Sequence, residues 1–375
     1  SMISLANLDT SKWKPENNDN ATLYWWNEKM PVGKYWQYQR LETAKDISPM
    51  NGYWFFAEDS LTLPLLSKPV KAKSDTLSFE LENNYSGWNL LSNPYSWDIA
   101  INQAEAFMDA ENAEEPAWVW NAKANSYEPI TTLKANTAFF MHTEETRTLS
   151  ISSKPVYQEQ DSTKILEKAQ KTFSKDSWSL RLKLMDSDEK SGDTWNVIGV
   201  GSRSLAIEKP PVGMNQKLTL ATQGNHRLLA KSIKQIGESL VWNLKLQANV
   251  SQTAKFKIEG LNKLLEQGYI AQLLIDGKTI TIDSEDAIAL NLTASAKNAI
   301  LKIEPKATLV SPGKIQNLRF AKNGQQLQVS FTRNNSDGAL ATVRLMDSQG
   351  KTLTFTHKRS TSGENSFALD VPQAS

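Results

Sequence analysis

The sequence predicts an all-β protein, made of tandem β modules that are followed by a β-sandwich and an Ig-like domain. Three observations predict this fold class: short segments in which apolar and polar residues alternate, turn residues between those segments, and an internal repeat in the first half of the chain. We expect four modules: a truncated β repeat at 1–70, its second copy at 71–157, a sandwich of the jelly-roll or Ig-like kind at 158–305, and a shortened Ig-like C-terminal domain at 306–375.

The composition is that of a globular protein with no bias toward nucleic acid. At 375 residues the chain exceeds one ordinary domain of ~100 to 200 residues. Hydrophobic residues make up 39% of it, and 42 basic residues nearly balance 41 acidic ones, so no net charge attracts polyanions. Cysteine is absent, which excludes disulfides, thiolate catalysis and cysteine zinc sites. The sequence contains no run of ~18 apolar residues, so no membrane-spanning segment is predicted.

An internal repeat organises the first half of the chain. The segments Thr62-Leu-Pro-Leu-Leu-Ser-Lys-Pro-Val70 and Thr148-Leu-Ser-Ile-Ser-Ser-Lys-Pro-Val156 share six of nine residues at an offset of 86. Tyr24-Trp-Trp-Asn27 aligns with Trp118-Val-Trp-Asn121 when the first copy is allowed eight extra residues. Two copies of one module in a fixed order indicate an array.

Each copy is predicted to consist of short strands. In the second copy a hairpin is expected from Trp118 to Ile130, with a turn after Asn121. An opening strand is predicted within residues 87–95, and a short amphipathic helix around residues 101–108. The first copy has no counterpart of that opening strand before Met2, so we expect the chain to begin inside a repeat.

Beyond a polar connector at 158–175, the hydrophobic period becomes two. In Trp178-Ser-Leu-Arg-Leu-Lys-Leu184 the apolar side chains are expected on one face and the cations on the other, as in a half-buried strand. A hairpin is predicted around the turn Asp276-Gly277, where positive φ angles are tolerated. Further strands at 288–292 and 299–303 complete a sandwich of about 130 residues.

The last segment, after a linker at 306–314, is predicted to be a second β domain. Apolar residues alternate through Leu327, Val329 and Phe331, and turns are expected at Asn323-Gly324 and at 347–350. Four or five strands are few for a complete Ig-like sandwich, so a final strand is expected to be missing.

The order of these features resembles a known group of proteins. Gly87-Trp-Asn-Leu-Leu-Ser-Asn-Pro-Tyr95, followed by Trp118-Val-Trp-Asn121, resembles a module of large secreted proteins of the Bacteroidetes and Fibrobacteres. In those proteins a β-sandwich similar to residues 178–303 often follows, with an Asp-rich turn before a segment like Asn196-Val-Ile-Gly199. Residues 343–351 resemble part of their Ig-like C-terminal sorting domain, although the Gly-containing strand that usually ends that domain does not follow Val371-Pro372. The resemblance implies an extracellular or cell-surface protein and names no ligand.

An acidic run is the candidate metal site. Asp186, Asp188 and Asp193 surround a predicted turn, and Ca²⁺ takes carboxylate oxygens as ligands. Lys190 occupies a position where the EF-hand spacing requires another oxygen, so a solvated turn is the favoured interpretation and a calcium loop the alternative. No other cofactor is predicted.

Aromatic residues are the candidate ligand-binding groups. Indole and phenol rings stack on sugar rings, and the candidate glycan platform comprises Trp25, Trp36, Tyr38 and Trp54. The rings that recur in both copies, Tyr24 with Trp118 and Trp26 with Trp120, are better explained as module core. The unrepeated rings, Trp25 and Trp36, are therefore the favoured members of an exposed platform.

No catalytic residue is predicted. The three histidines, His142, His226 and His357, fall in separate predicted modules, so a Ser-His-Asp or metal site would have to assemble across module boundaries. Adjacent carboxylates such as Glu114-Glu115 and Glu144-Glu145 are assigned to solvated turns, because glycosidases hold two carboxyls ~5 to 10 Å apart across a cleft.

Three functions follow in order of preference. The first is a non-enzymatic scaffold or adhesion region of a large secreted or surface protein, whose partners are cell-surface or extracellular components. The second is a carbohydrate-binding ancillary region of a polysaccharide-degrading system, and the third is a hydrolase with a site between modules. A flat row of exposed indoles favours the second function, and buried indoles favour the first.

Overall fold

The fold is all-β, as the sequence predicts. The computed structural model describes residues 1–17, 20–31, 37–58, 61–64, 66, 70–72, 74–101, 107–111, 115–156, 177–224, 227–305, 316–324, 326–333, 340–346, 352–361 and 363–370. The predicted connector at 158–175, the linker at 306–314 and the turn at 347–350 lie outside these residues, as do residues 102–106 of the predicted helix. The chain divides into two compact units, Ser1–Glu304 and Pro305–Ser375. In the described residues no helix has the length and apolarity that crossing a membrane requires.

The first repeat copy forms a four-stranded antiparallel sheet in the order β1-β4-β2-β3. Its strands are β1 (Met2–Ser4), β2 (Ala21–Trp26), β3 (Tyr38–Arg40) and β4 (Gly52–Ala57), with 3-10 turns at Pro15–Asn17 and Ala44–Asp46. β1 lies on β4 as β6 lies on β11, so the first copy has an opening strand that begins at Met2, and the truncation of this copy stays a prediction. A strand of three residues is too short for the repeat to be visible in its sequence.

The second copy forms a sheet of the same topology, in the order β6-β11-β8-β9. Two-stranded ladders, β5 with β12 and β7 with β10, accompany it. The strands are β5 (Thr76–Leu81), β6 (Trp88–Ser92), β7 (Ile99–Ala100), β8 (Ala117–Asn121), β9 (Ser126–Ile130), β10 (Thr132–Leu133), β11 (Ala138–His142) and β12 (Arg147–Ser152). The predicted hairpin is β8 with β9.

Strand pairing identifies the equivalent residues of the two copies. Tyr24 pairs with Trp54 across β2 and β4, and Trp118 pairs with Phe140 across β8 and β11. Trp54 and Phe140 are separated by the repeat offset of 86 residues, so Tyr24 is equivalent to Trp118. The alignment made from sequence is therefore correct in register.

The two copies contact each other through equivalent residues, as the halves of a two-fold symmetric dimer do. The backbone N–H of Ser4 donates to the carbonyl of Asn136 at 2.9 Å, and that of Ser92 donates to the carbonyl of Met50 at 3.0 Å. Met50 and Asn136 are again 86 residues apart, so each copy gives the other the same hydrogen bond. A local pseudo-two-fold axis therefore relates the two copies.

Each repeat sheet packs one face on a core of its own and the other on a common core. The common core is aromatic. The ring of Trp26 meets that of Phe140 edge-on at 5.3 Å, and the equivalent rings of Trp120 and Trp54 meet edge-on at 5.1 Å. Edge-to-face ring pairs of this kind contribute about 0.5–1.5 kcal/mol each beyond their buried area.

The region predicted as a sandwich is one curled sheet of eleven strands in the order β21-β20-β23-β18-β16-β17-β14-β13-β19-β22, with β15 on β17. Its two-sheet, jelly-roll or Ig-like character stays a prediction, and we keep the name sandwich for this region. β14 and β17 run parallel, and the other pairs with a described register are antiparallel. The turn between β20 and β21 places Asp276 and Gly277 at positive φ, as the sequence predicts. The elements are β13 (Trp178–Met185), β14 (Gly192–Gly201), β15 (Leu205–Glu208), β16 (Leu218–Gly224), β17 (Arg227–Gln235), β18 (Val241–Ala248), β19 (Gln252–Glu259), α1 (Leu261–Glu266), β20 (Tyr269–Ile275), β21 (Lys278–Ile282), β22 (Ile288–Leu292) and β23 (Lys297–Pro305).

The outer face of the sandwich is covered near β13. Arg181, which we expected on a solvated face, is buried, and its guanidinium lies 4.6 Å from the ring centre of Trp195 and 2.8 Å from Glu259. Trp195 belongs to the common core of the repeat copies. The sequence could not show this burial, because the covering residues come from another part of the chain.

The C-terminal unit contains two small antiparallel sheets, β24-β25-β28 and β26-β27. Val329 and Phe331 are buried, as the alternation predicts, whereas Leu318 and Phe320 on β24 are exposed. The strands are β24 (Gln316–Asn323), β25 (Gln326–Arg333), β26 (Leu340–Met346), β27 (Thr352–Arg359) and β28 (Gly363–Asp370). Its Ig-like character stays a prediction.

Candidate functional site

The predicted glycan platform is not assembled by its described members. Trp54 is 1% exposed and Tyr38 is 7% exposed, because both belong to the common core. Trp25 is half-buried against the core of the first copy. Trp36 lies outside the described residues.

The three aspartates of the predicted calcium loop do not converge on a cation site. The carboxylate of Asp186 is occupied by the N–H of Lys190 at 2.9 Å and by the hydroxyl of Ser191 at 2.6 Å. Asp188 is exposed, whereas Asp193 is buried on β14. Among the described residues no group of three or more acidic or histidine side chains could hold a metal ion.

A cleft of about 1060 Å³ lies between the repeat copies and the sandwich. We call it the repeat–sandwich cleft. Its floor is the outer face of β16 and β18, where side chains that alternate with buried leucines point away from the core. The polar floor residues are Lys217, Thr219, Lys245, Gln247 and Asn249.

Tyr85 is the exposed aromatic residue of this cleft. It is 55% exposed, whereas Trp88 in the same lining is buried and Trp26 is half-buried. Asn83 lines the cleft close to Tyr85 in sequence, and its amide donates to the backbone of Glu144. The cleft thus combines one open ring face with amide and ammonium groups.

The backbone beneath Tyr85 is held by a buried carboxylate from the first repeat copy. Oε1 of Glu28 accepts the N–H groups of Tyr85 at 2.9 Å, Ser86 at 2.5 Å and Gly87 at 2.6 Å. Its Oε2 accepts from the amide of Gln37 at 3.1 Å and the hydroxyl of Ser86 at 2.6 Å. Because three consecutive N–H groups share one charged acceptor, the loop that carries Tyr85 is fixed before any ligand arrives.

One end of the cleft carries a histidine between two carboxylates. Nδ1 of His142 lies 3.4 Å from Glu115, and Nε2 lies 3.6 Å from Glu208, which also forms an ion pair with Arg227. His142 and Glu115 come from the second repeat copy, and Glu208 and Arg227 come from the sandwich. The cluster therefore joins the two parts electrostatically.

Burial and charge shift the pKa values in this cluster. Burial lowers the pKa of His142, but the nearby carboxylates of Glu115 and Glu208 outweigh it, so the pKa lies above 6.5. Burial raises the pKa of Glu115 above 4.5 despite its contact with His142. The prediction of a solvated turn is wrong for Glu115, because its side chain is only 19% exposed and lies against the buried imidazole of His142.

Two lysines of the floor have no carboxylate partner among the described residues. Lys217 is exposed and Lys245 is half-buried, and both line the cleft. Lys209, which also lines it, is instead engaged by Asp193 at 2.9 Å. The free ammonium groups can donate to hydroxyl or anionic oxygens of a ligand.

Sequence reasoning missed these residues because they come from distant segments. Tyr85 was the most accessible to prediction, since it stands in the polar segment Asn83-Asn84-Tyr85-Ser86 directly before the Gly87-Trp88 motif. An aromatic residue in a polar loop is a candidate for exposure. The floor residues carry no such signal, because their alternation only indicates a solvated strand face.

No protein-family model, curated protein or solved structure matches this chain. The resemblance to secreted Bacteroidetes and Fibrobacteres modules therefore stays a prediction, and the site is interpreted from its own geometry.

Proposed function

We propose that the chain is a non-catalytic adhesion region of a secreted or surface protein, and that its repeat–sandwich cleft binds carbohydrate. The observation that carries the proposal is the exposed ring of Tyr85 at a cleft whose floor is built of amide and ammonium side chains. Carbohydrates present apolar ring faces together with many hydroxyls. A site for them needs an aromatic surface beside several hydrogen-bond donors and acceptors.

The floor supplies those donors and acceptors in a row. Thr219 pairs directly with Gln247 across β16 and β18. Two residues along each strand, the backbone N–H of Asn249 donates to the carbonyl of Lys217. Opposed residues of paired strands stand about 4.5–5.5 Å apart, so the row can follow an extended chain of sugar units. The cleft volume of about 1060 Å³ is sufficient for a short oligosaccharide.

The charged end of the cleft favours binding over turnover. The carboxylate of Glu208 is engaged by Arg227 and His142, and Glu115 does not line the cleft. His142, Glu208 and Arg227 line the cleft, but their charges are already paired with one another across the junction of the repeat copies and the sandwich. The repeat copies and the sandwich share the common core, which gives the cleft rigid walls. Rigid walls suit a region that binds a ligand without moving.

A glycan array followed by isothermal titration tests the proposal. We expect at least one neutral or acidic polysaccharide to bind and to be recovered intact. Tyr85→Ala should weaken that binding about tenfold, which corresponds to ~1.4 kcal/mol, and Tyr85→Phe should retain it. Ile236→Ala is the matched control, since Ile236 is exposed on the same unit and does not line the cleft. A silent array, or equal binding by Tyr85→Ala, contradicts the proposal.

A further inference from the structure

The buried amine of Lys209 lies against an amide and a carboxylate. The Lys209 side chain is 8% exposed, and its Nζ is 2.7 Å from Oδ1 of Asn196 and 2.9 Å from Oδ1 of Asp193. Asn196 and Asp193 are both buried on β14. A nucleophilic nitrogen is thus held beside a carboxamide at the edge of the cleft, with little of the lysine side chain open to solvent.

One oxygen of Asp193 contacts both the amine nitrogen of Lys209 and the amide nitrogen of Asn196. Its Oδ1 accepts from Nζ of Lys209 at 2.9 Å and from Nδ2 of Asn196 at 3.0 Å. Its Oδ2 accepts the N–H of Leu220 at 2.9 Å and the amide of Gln216 at 3.4 Å, which fixes the carboxylate. Oδ1 can therefore take a proton from one nitrogen and give it to the other without moving.

Burial prepares the amine for attack. Desolvation lowers the pKa of Lys209, although the charge of Asp193 opposes the shift, and the neutral amine is the nucleophilic form. Reactive groups held in contact gain effective concentrations of about 10⁵–10⁸ M over the same groups free in solution.

We propose that Lys209 and Asn196 form an intramolecular isopeptide bond. Nζ of the neutral lysine bonds to Cγ of Asn196, and the bond between Cγ and Nδ2 breaks. One proton passes from Nζ through Oδ1 of Asp193 to Nδ2, which leaves as ammonia. The exchange replaces one amide by another, so it needs no oxidant, reductant or cofactor.

The bond would clamp two segments of the sandwich sheet. Asn196 lies in β14, Lys209 directly follows β15, and both strands pair with β17. A covalent link across this part of the sheet resists unfolding and proteolysis, which suits a protein exposed outside the cell. This inference does not depend on what the repeat–sandwich cleft binds.

Mass spectrometry of the purified full chain tests the bond. The intact mass should fall below the sequence mass by one molecule of ammonia. Trypsin cleaves after Arg203, which stands between the two residues, and does not cleave between Lys209 and Pro210. Residues 191–203 and 204–217 should therefore be recovered as one branched peptide.

Substitutions show whether a mass deficit comes from this isopeptide bond or from a loss of ammonia elsewhere in the chain. Lys209→Arg keeps a cation beside Asp193 but lacks the amine, and Asn196→Ala lacks the amide, so both should have their full sequence mass. Lys183→Arg, at another ion pair of the same unit, is the matched control and should keep the deficit. A wild-type chain of full sequence mass, two separate tryptic peptides, or a deficit that persists in Lys209→Arg would each overturn the proposal. The wild-type digest decides the matter even where a variant does not fold.

Discussion

The hydroxyl of Ser4 donates a hydrogen bond of 3.0 Å to the hydroxyl of Ser92, its equivalent in the second repeat copy. The hydroxyl of Ser92 donates a hydrogen bond of 2.9 Å to the carbonyl of Pro49. The pair lies where the pseudo-two-fold axis passes between the copies. Since one hydroxyl must donate and the other accept, the two serines cannot be chemically identical there.

This asymmetry predicts unequal effects of two alanine substitutions. Ser4→Ala removes one donor and leaves Ser92 bonded to Pro49, so we expect a loss of about 0.5–1 kcal/mol in the free energy of unfolding. Ser92→Ala strips a partner from both Ser4 and Pro49 and should cost about 1–3 kcal/mol. Denaturant unfolding measures both, and the double variant should cost less than the sum of the single variants. Strict additivity would show that the hydroxyls do not interact.

Gly213 predicts how closely the sandwich approaches the repeat. A Cβ built at Gly213 would lie 2.5 Å from a ring carbon of Trp120. Gly213→Ala must therefore push the loop or the ring aside, at a cost of about 1–3 kcal/mol measured by thermal unfolding. Gly237→Ala is a control for backbone strain, because a Cβ there meets no atom within 4 Å although its φ is 95°. An unchanged unfolding temperature in Gly213→Ala contradicts the predicted contact, because φ is not positive at Gly213 and only the steric clash can cause a loss there.

Glu28 predicts a charge effect on the loop of Tyr85. Glu28→Gln keeps the shape but weakens the acceptor of three N–H groups, so we expect the unfolding free energy to fall by about 1.5–3 kcal/mol. Hydrogen exchange at Tyr85, Ser86 and Gly87 should accelerate more than exchange in β18. Glu82→Gln, at an exposed carboxylate near the same loop, is the control and should leave those amides protected. Unchanged exchange in Glu28→Gln would remove the role we assign to this carboxylate.

The cluster around His142 predicts a dependence of stability on pH. The pKa of His142 and that of Glu115 are both raised in the folded chain, so the folded state binds protons more tightly than the unfolded state. The stabilisation from His142 is complete below pH 6.5 and is lost as the pH rises through its raised pKa. Ionisation of Glu115 acts in the same direction at its own raised pKa.

We therefore expect the unfolding free energy to fall as the pH rises from 6.5 through the raised pKa of His142, with His142→Gln reducing the slope by up to about one proton. Urea titrations at several pH values measure this slope. Arg227 also acts on His142, and Glu144 acts on Glu115, so salt should change the profile only partly. Equal slopes for the wild type and His142→Gln would show that this residue does not carry the effect. His357→Gln, in the C-terminal unit, is the control.

Sequence reasoning succeeded where the signal is local. The turn at Asp276-Gly277 and the buried alternation of Trp242, Leu244 and Leu246 follow from neighbouring residues alone. The register of the repeat was found because its aromatic residues recur. In each case the residues that carry the pattern are also the ones that form the contact.

It failed where distant segments cover one another. Arg181 and Glu115 have the sequence context of solvated residues, yet each is covered by another part of the chain. Asp193 appeared to belong to a polar turn and is instead buried with Lys209. The cleft escaped prediction for the same reason, since Tyr85 and its floor residues meet only after the repeat copies dock on the sandwich.

The pseudo-two-fold pairing has an evolutionary consequence. In a dimer of separate chains every substitution appears on both sides of the axis, and assembly depends on concentration. Joining both halves in one polypeptide removes the dilution limit and lets each half change alone. Glu28 illustrates this freedom, because the matching position after Asn121 is Ala122. After duplication the first copy was free to acquire Glu28, which orders the loop of Tyr85, while the second copy kept the contacts that hold the two copies together.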